Sequence, residues 1–104
     1  MQSYYYDGQK TNYSISETGE VFNNKTQKYL KGTINKLGYK VYRLSLNGIS
    51  KDLYAHRMAA ETFIPNSDKT KNCVNHKDGN KLNNSIINLE WVTKKENNQH
   101  AIIN

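Results

Sequence analysis

The sequence is poor in cysteine and proline, with one of each in 104 residues, and it contains no long apolar run. Because Cys73 is the sole cysteine, the chain can form neither an internal disulfide nor a cysteine-based zinc site, which fits a reducing, intracellular setting. The N-terminal residues lack the basic segment and the apolar stretch of a signal peptide. No run of residues reaches the length of a membrane span, so we expect no membrane among the partners.

Hydrophobic residues are also limited, at 36% of the chain, and they allow one small core with little room for a second domain. Basic residues outnumber acidic ones by 15 to 9, which gives a formal net charge of +6. The excess is larger in the first half, where residues 1–50 carry seven basic and three acidic groups. Such a charge favours a polyanionic partner, and a soluble protein with a basic surface is the alternative.

The first half of the chain has the pattern of short strands. Residues 13–23 predict two strands around a turn at Gly19, and residues 39–46 predict a longer strand rich in β-branched and aromatic side chains. The Asn47–Gly48 pair that follows is typical of a tight hairpin turn with a return strand after it. Residues 1–12 are polar, with three tyrosines, and we expect them to lead into the fold. The first half is therefore predicted to be one small antiparallel sheet.

The second half changes period. Apolar residues recur at helical spacing over residues 55–64, immediately before Pro65, and predict a short helix. Residues 73–76 and 89–92 predict two further strands, with a polar segment rich in turn-forming residues between them.

A last helix is expected to begin at Thr93, because Thr93 and Glu96 have the spacing of a capping box. Asn97 and His100 lie three residues apart, so they share one face of that helix. The helix follows directly on the last strand, and we expect this face to return toward His76 at the end of the preceding strand.

These residue types suit phosphodiester hydrolysis. The reaction needs a base that deprotonates water, a positioned phosphate and stabilisation of the leaving oxygen. A neutral imidazole can take the proton near physiological pH. Magnesium prefers oxygen ligands and keeps several waters, so two side-chain amide oxygens can suffice to hold it, although more weakly than carboxylates do.

The ordered set "VNH", "NLEWVT" and "EN" resembles the HNH endonucleases. In that set Asn88 lies twelve residues after His76, and Asn97 lies nine residues after Asn88. The resemblance covers about residues 54–103 and looks closest to the phage and intron-borne members. Residues 13–23 and the sheet after them look like the nuclease-associated modular domain that often precedes the HNH domain in that group.

The resemblance implies an α+β fold, with a small N-terminal antiparallel sheet and a short helix followed by a ββα-metal (HNH) core. We place the boundary after residue 54. Residues 1–54 would be the sheet module that contacts DNA, and residues 55–104 would be the helix and the nuclease core, with the option that both pack as one domain.

The same resemblance implies a role for each matched residue. His76 matches the general base that activates water, and Asn75 falls where the family usually has an Asp, Glu or His that binds the metal. Asn88 matches the residue that fixes the loop and orients the histidine. Asn97 falls at the position of a His or Asn metal ligand on the helix, and His100 would contact phosphate or assist near the leaving group. The implied cofactor is a divalent metal, Mg²⁺ or Mn²⁺.

Each of these residues also has a structural interpretation. His76 at a strand end could make only loop hydrogen bonds, Asn97 could be solvated, and His100 could merely favour the helix dipole. Asp78 is expected to be a turn residue, with metal ligation as its alternative. Trp91 is expected in the core.

Arg43, Lys40 and Arg57 are the candidate DNA contacts, because basic groups on or beside a sheet suit phosphate binding. Alternation along the strand puts Tyr42 on the face opposite Arg43. For that reason not every aromatic and basic residue of this strand can face one ligand.

The functional prediction is a metal-dependent endonuclease that acts on double-stranded DNA. One site per monomer predicts nicking, whereas a homodimer would permit double-strand cleavage, and the sequence leaves monomer and homodimer open. Because both matched metal ligands are asparagines, the alternative is a catalytically weak or inactive HNH-scaffold module that binds DNA or inhibits a protein. An RNA-binding sheet protein is a third reading. Since the sequence ends at Asn104 without a further recognition region, we expect modest sequence specificity, and a phage-borne enzyme would act in the cytoplasm of a bacterial host.

Overall fold

The computed structural model describes residues 1–97 of the chain, so the predicted site residue His100 lies outside the described residues. No helix within residues 1–97 has both the length and the apolar character needed to span a membrane. Residues 94–97 are helical and follow the last strand. The other elements are, in chain order, β1 (Gln2–Tyr6), β2 (Gln9–Ile15), β3 (Val21–Asn23), β4 (Lys28–Tyr29), β5 (Thr33–Ile34), β6 (Lys40–Leu46), β7 (Ile49–Tyr54), α1 (Ala55–Phe63), β8 (Cys73–His76), a short 3-10 helix (Ile86–Asn88) and β9 (Leu89–Val92).

The strands pair antiparallel in three sheets, ordered β1-β2-β3-β4, β5-β6-β7 and β8-β9. The α+β class is confirmed, but the first seven strands form two sheets where one was predicted. Gly32 explains the division, because it lies between β4 and β5 with a φ of +65° and packs directly on β6. A Cβ atom there would lie 2.9 Å from the Val41 carbonyl oxygen. The chain can therefore change sheets at this point only with glycine.

Residues 1–12 do more than lead into the fold, because they form a hairpin of β1 with the start of β2. Its turn is Asp7–Gly8, with φ angles of 52° and 77°. An Asp-Gly pair with both φ angles positive is a favoured two-residue hairpin turn. Tyr4 is buried and Tyr5 is exposed, so the tyrosine run alternates across a strand. The sequence did not indicate a strand here, because tyrosine occupies both the buried and the exposed face and gives no alternation of residue types.

The remaining local predictions agree with the structure. β6 and β7 form the expected hairpin around Asn47–Gly48, whose φ angles of 52° and 79° are both positive. α1 ends just before Pro65, and β8 and β9 coincide with the two strands predicted in the second half. Each of these elements follows from a pattern within a few residues, namely turn chemistry, helical spacing or a helix stop.

α1 is the element that joins the three sheets, since it contacts strands from all of them. Its buried face is built largely of alanine, which allows close approach, and Met58 on the same face is 1% exposed. Ile15, Leu44 and Leu89 meet it in a single core cluster. Burial of each such aliphatic side chain contributes about 1.5–3 kcal/mol. Residues on both sides of the predicted boundary at residue 54 therefore share one core.

Candidate active site

The β8–β9 hairpin carries Asn75 and His76 at the end of β8, and Asn88 immediately precedes β9. Its register pairs Asn75 with Glu90 and His76 with Leu89. Asn75 and His76 are the last two residues of β8, and their exposed fractions are 8% and 5%. Two polar side chains are thus held in a largely buried position at a strand end, where both need partners.

Asn88 closes the connection between β8 and β9. Its Oδ1 accepts a hydrogen bond from the Asp78 backbone N–H at 3.1 Å. Its Nδ2 donates to Asp78 Oδ1 and to the Asn83 carbonyl oxygen, both at 2.9 Å. The Lys77 N–H donates to the Asn88 carbonyl at 2.8 Å. Asn88 therefore ties both ends of the loop to each other.

Asp78 is the turn residue of this loop. Its carboxylate accepts hydrogen bonds from the Asn83 amide, the Asn80 backbone N–H and the Asn88 amide. These contacts, the one from Asn83 first, hold the pKa of Asp78 below its ordinary value. Both carboxylate oxygens are engaged inside the loop, which favours the turn role over metal ligation.

The imidazole of His76 is held by Asn84. Nε2 of His76 lies 2.8 Å from Asn84 Oδ1, and Asn84 is itself 6% exposed. Because an amide oxygen only accepts hydrogen bonds, this contact assigns the proton to Nε2 and leaves a lone pair on Nδ1. Asn88 was expected both to fix the loop and to orient the ring. Its side chain makes hydrogen bonds within the loop, and the hydrogen-bond partner of the ring is Asn84.

Burial lowers the pKa of His76, with Lys81 acting in the same direction, while the Asn84 hydrogen bond and the charge of Asp78 oppose the shift. The lowered pKa keeps the ring neutral at neutral pH, and a neutral imidazole is the form that can accept a proton.

Two rings, His56 and Tyr39, pack against His76, and Tyr54 extends the cluster through its contacts with both of them. The His56 ring centroid lies 4.9 Å from that of His76, and the Tyr39 centroid lies 6.1 Å away. Tyr39 and Tyr54 also contact His56, at 5.1 Å and 5.2 Å. Within residues 1–97, the buried Nδ1 of His56 has no hydrogen-bond partner. Burial, with smaller effects of His76 and Arg57, lowers the pKa of His56 to about 3, so it too is neutral.

Glu90 orients the amide of Asn75. Nδ2 of Asn75 donates a long hydrogen bond of 3.4 Å to Glu90 Oε2 across the hairpin. Because the nitrogen end of the amide faces Glu90, Oδ1 is the atom left to bind a cation. The carboxylate of Glu90 also puts a formal negative charge beside an otherwise neutral ligand.

The capping box predicted at Thr93 is present. The Glu96 N–H donates to Thr93 Oγ1 and the Thr93 N–H donates to Glu96 Oε1, each at 3.1 Å. Val92 ends β9, so the box turns the chain straight into the helix that carries Asn97. The Asn97 N–H donates to the Thr93 carbonyl at 3.0 Å, and its side chain is half-buried.

The candidate metal ligands are amide oxygens. Within residues 1–97 there is no group of three or more His, Cys, Asp or Glu side chains that could hold a metal. Asn75 Oδ1 and the amide of Asn97 are hard oxygen donors, which fit magnesium or manganese and do not fit a soft metal. The residues present therefore suit a weakly held, largely hydrated cation.

The three candidate DNA contacts are engaged within the chain. Arg43 forms a two-point ion pair with Asp52, at 2.8 Å and 3.2 Å. Lys40 lies on the other face of β6, with Nζ 5.7 Å from the Tyr42 ring centroid. Arg57 donates from Nη1 to the Asn72 carbonyl at 2.9 Å and lies over Trp91.

Sequence reasoning missed Asn84 and Glu90, and it missed the contact of His56 with His76. Glu90 had a usable signal, because pairing the two predicted strands end to end puts it opposite Asn75. His56 stood beside Arg57 in the predicted helix, without a sign that its ring would meet His76. No signal distinguishes Asn84 from the other asparagines of the loop.

Two family models match parts of this chain. Residues 53–99 match the family model described as HNH endonuclease, and residues 4–45 match the NUMOD4 motif. The chain is 50% identical over 93 residues to the uncharacterized HNH endonuclease L245 of Acanthamoeba polyphaga mimivirus, covering 89% of this chain and 28% of that protein. It is 42% identical over 90 residues to the DNA endonuclease I-HmuI of Bacillus phage SP01, covering 86% of this chain and 51% of that protein.

The fold is similar as well. A solved structure on DNA binding and cleavage by the HNH homing endonuclease I-HmuI matches with a TM-score of 0.84 and 38% identity, over 99% of this chain and 59% of that one. The chain thus spans about a quarter to about half of the length of the two curated relatives named above. Residues 53–99 therefore belong to the HNH endonuclease family, and a NUMOD4 motif precedes them at residues 4–45.

Proposed function

We propose that this chain is a metal-dependent HNH endonuclease that hydrolyses phosphodiester bonds of double-stranded DNA and nicks one strand at a time. The family match of residues 53–99 and the similarity to relatives named as DNA endonucleases support the reaction class. One structural observation carries the proposal. A buried neutral imidazole, His76, has its Nε2 held at 2.8 Å by Asn84 and follows directly on the amide of Asn75.

His76 acts as the general base in this proposal. Attack on the phosphorus requires a water to lose a proton, and a positioned base of suitable pKa typically speeds such a step by about 10²–10⁴-fold. Nδ1 of His76 takes the proton because Nε2 is occupied by Asn84 Oδ1. The surrounding rings and the loop restrain the imidazole, so little ordering is needed when substrate arrives.

Asn75 and Asn97 hold the cation. When bound, a magnesium or manganese ion stabilises the charge that develops on the phosphate and on the leaving oxygen. Because the Asn75 amide nitrogen donates to Glu90, Oδ1 of Asn75 points away from the Glu90 carboxylate. Asn88 fixes the loop that follows the base. His100 is proposed to contact phosphate near the leaving group. Because the amide ligands are uncharged, the DNA phosphate supplies much of the binding of the metal.

Nicking of supercoiled plasmid tests the proposal. The wild-type protein is expected to convert supercoiled plasmid to the open circular form in Mg²⁺ or Mn²⁺, and excess EDTA should abolish the conversion. His76→Ala should slow nicking by about 10²–10⁴-fold. Ile87→Ala is the matched control, since Ile87 lies in the connection that follows His76 with 82% of its surface exposed, and its rate should equal that of the wild type. A folded His76→Ala protein that nicks at the wild-type rate would refute the assignment.

A second candidate is a DNA-binding or protein-inhibiting module on the same scaffold with little or no catalysis. The absence of a charged metal cluster within residues 1–97 favours it. It predicts DNA binding that weakens steeply between about 50 and 200 mM salt and that neither needs metal nor produces nicks. If the purified protein binds neither DNA nor metal, an inhibited protein partner becomes the better explanation.

A further inference from the structure

We propose that the turn at residues 16–20, within the NUMOD4 motif, is a positioning device for the catalytic base and acts on His76 through Asn84. This inference deepens the proposed function and rests on the role of His76 as the base. It gives the N-terminal part of the chain a task besides contact with DNA. The task is to hold the loop between β8 and β9 so that Asn84 meets the imidazole.

The first link is the contact between Asn84 and His76. The Asn84 side chain is buried, and its Oδ1 lies 2.8 Å from Nε2. A hydrogen bond at Nε2 fixes both the plane of the ring and the nitrogen that carries the proton. Tyr39 and His56 pack against the ring, with Lys81 and Asp78 as the charged neighbours. Stacking restricts the tilt of the ring, whereas Asn84 is the hydrogen-bond partner within residues 1–97 that selects between its two nitrogens.

The second link is the packing of Asn84 against Gly19. Gly19 is buried with a φ of +84°, and a Cβ atom at this position would lie 2.7 Å from Asn84 Cβ and 3.0 Å from the Asn84 carbonyl oxygen. Real Cβ atoms essentially never approach so closely. Asn84 therefore rests directly on the backbone of the turn, and any side chain at residue 19 would displace it.

The third link is the anchoring of the turn to both halves of the chain. The Ile86 N–H donates to the Glu17 carbonyl at 2.8 Å, two residues after Asn84. The Tyr42 hydroxyl donates to the Gly19 carbonyl at 3.2 Å from the middle of β6. Ser16 closes the turn internally, since its backbone N–H donates to the Glu20 carbonyl at 2.9 Å. The turn is thus rigid itself and fastened on both sides of Gly19.

Gly19→Ala and Gly8→Ala form a matched pair that tests this chain of contacts. Both glycines have positive φ angles, +84° and +77°, so alanine meets a similar backbone strain at either position. A Cβ at Gly8 meets nothing within 4 Å, whereas a Cβ at Gly19 collides with Asn84. Any difference between the two variants beyond general stability therefore reports the displacement of Asn84.

NMR of metal-free, ¹⁵N-labelled protein reports the tautomer of His76 through the long-range couplings of the imidazole nitrogens. The His56→Phe spectrum identifies the signals of the other buried imidazole, His56. The wild type and Gly8→Ala should show the proton on Nε2. Asn84→Leu and Gly19→Ala should lose the preference for the Nε2–H tautomer. Asn84→Asp should retain it, because a carboxylate also accepts a hydrogen bond from Nε2–H. This measurement needs no nuclease activity, so it separates a failure of this inference from a failure of the proposed function.

Nicking kinetics give the second readout. Loss of the hydrogen-bond partner of a metal ligand typically reduces activity about 10–100-fold, and the same range is expected for the partner of the base. We expect Asn84→Leu and Gly19→Ala to lower kcat by such a factor with little change in KM for DNA, and Gly8→Ala to match the wild type. Unchanged His76 tautomers in folded Asn84→Leu protein would overturn the role of Asn84.

A second variant tests the turn if Gly19→Ala does not fold. Ile86→Pro removes the N–H that anchors the loop to the Glu17 carbonyl, whereas Glu17→Pro keeps that carbonyl and is no substitute. Ile86→Pro should reproduce the Asn84→Leu spectrum, and a wild-type spectrum would overturn the role of the turn.

Discussion

Replacing Asn75 with aspartate should strengthen the proposed cation site while destabilising the metal-free protein. Asn75 Nδ2 donates to Glu90 Oε2 at 3.4 Å. Aspartate keeps the shape of the side chain but exchanges this donor for a second acceptor. The hydrogen bond then becomes a repulsion between two carboxylates, unless one is protonated or a cation lies near them.

The size of the effect follows from the distance and the burial. Two unit charges about 4 Å apart interact by roughly 1 kcal/mol in bulk water and by about 4 kcal/mol near a protein surface. Asn75 is 8% exposed, so the surface figure is the closer guide. Without metal, Asn75→Asp should therefore lose about 1–4 kcal/mol of stability. With a divalent cation the sign reverses, and we expect at least about a tenfold tighter Kd for Mn²⁺, which corresponds to about 1.4 kcal/mol.

Calorimetric titration with Mn²⁺ and thermal unfolding with and without Mn²⁺ provide the measurements. Asn75→Asp should melt below the wild type without metal and should gain more in Tm than the wild type on adding Mn²⁺. The Asn75→Asp/Glu90→Gln double variant is the control, because it removes the repulsion and should recover the metal-free Tm. An Asn75→Asp protein with wild-type Mn²⁺ affinity and wild-type melting would show that Asn75 and Glu90 do not face a cation site.

Three further predictions concern stability and DNA binding. The pKa of His56 is lowered to about 3 in the folded protein, so the unfolded chain binds a proton at His56 before the folded protein does as the pH falls below about 6.5. The free energy of unfolding should then drop by up to about 1.4 kcal/mol per pH unit. In urea unfolding, His56→Phe should reduce this loss of stability at acid pH. Asn88→Ala removes the hydrogen bonds to Asp78 and Asn83, and chemical denaturation should show a loss of about 2–4 kcal/mol, against almost none for an exposed loop residue such as Ile87. Asp52→Asn frees the Arg43 guanidinium, and the slope of log K against log salt for DNA should steepen by up to about 1 unit in fluorescence anisotropy.

The elements of the second half of the chain could be predicted because their signals are local. β8 and β9 are short runs between turn formers, α1 stops before Pro65, and the Thr93–Glu96 box lies within a single turn of chain. Each pattern is decided by neighbours in sequence, so no knowledge of the core is needed. The Asn47–Gly48 hairpin was accessible for the same reason.

The contacts that organise the site could not be predicted in this way. Asn84 contacts His76 because its backbone packs on the turn at Gly19, which lies 65 residues earlier in the chain. The division of the N-terminal strands into two sheets depends on the packing of Gly32 against β6. Both features arise from tertiary contact, where a residue's own neighbours in sequence carry no information about its partner.

The abundance of asparagine between β8 and β9 follows from the same physics. Twelve residues join two strands of four residues each, so many backbone groups of the connection have no sheet partner. An asparagine amide both donates and accepts, and Asn88 alone ties an N–H, a carbonyl and a carboxylate together. Aspartate could only accept, and each aspartate would add a negative charge to a surface that approaches phosphate in the proposed function. Amides therefore order the loop without adding charge that would repel DNA, and an uncharged amide at Asn75, the proposed metal ligand, is consistent with the same constraint.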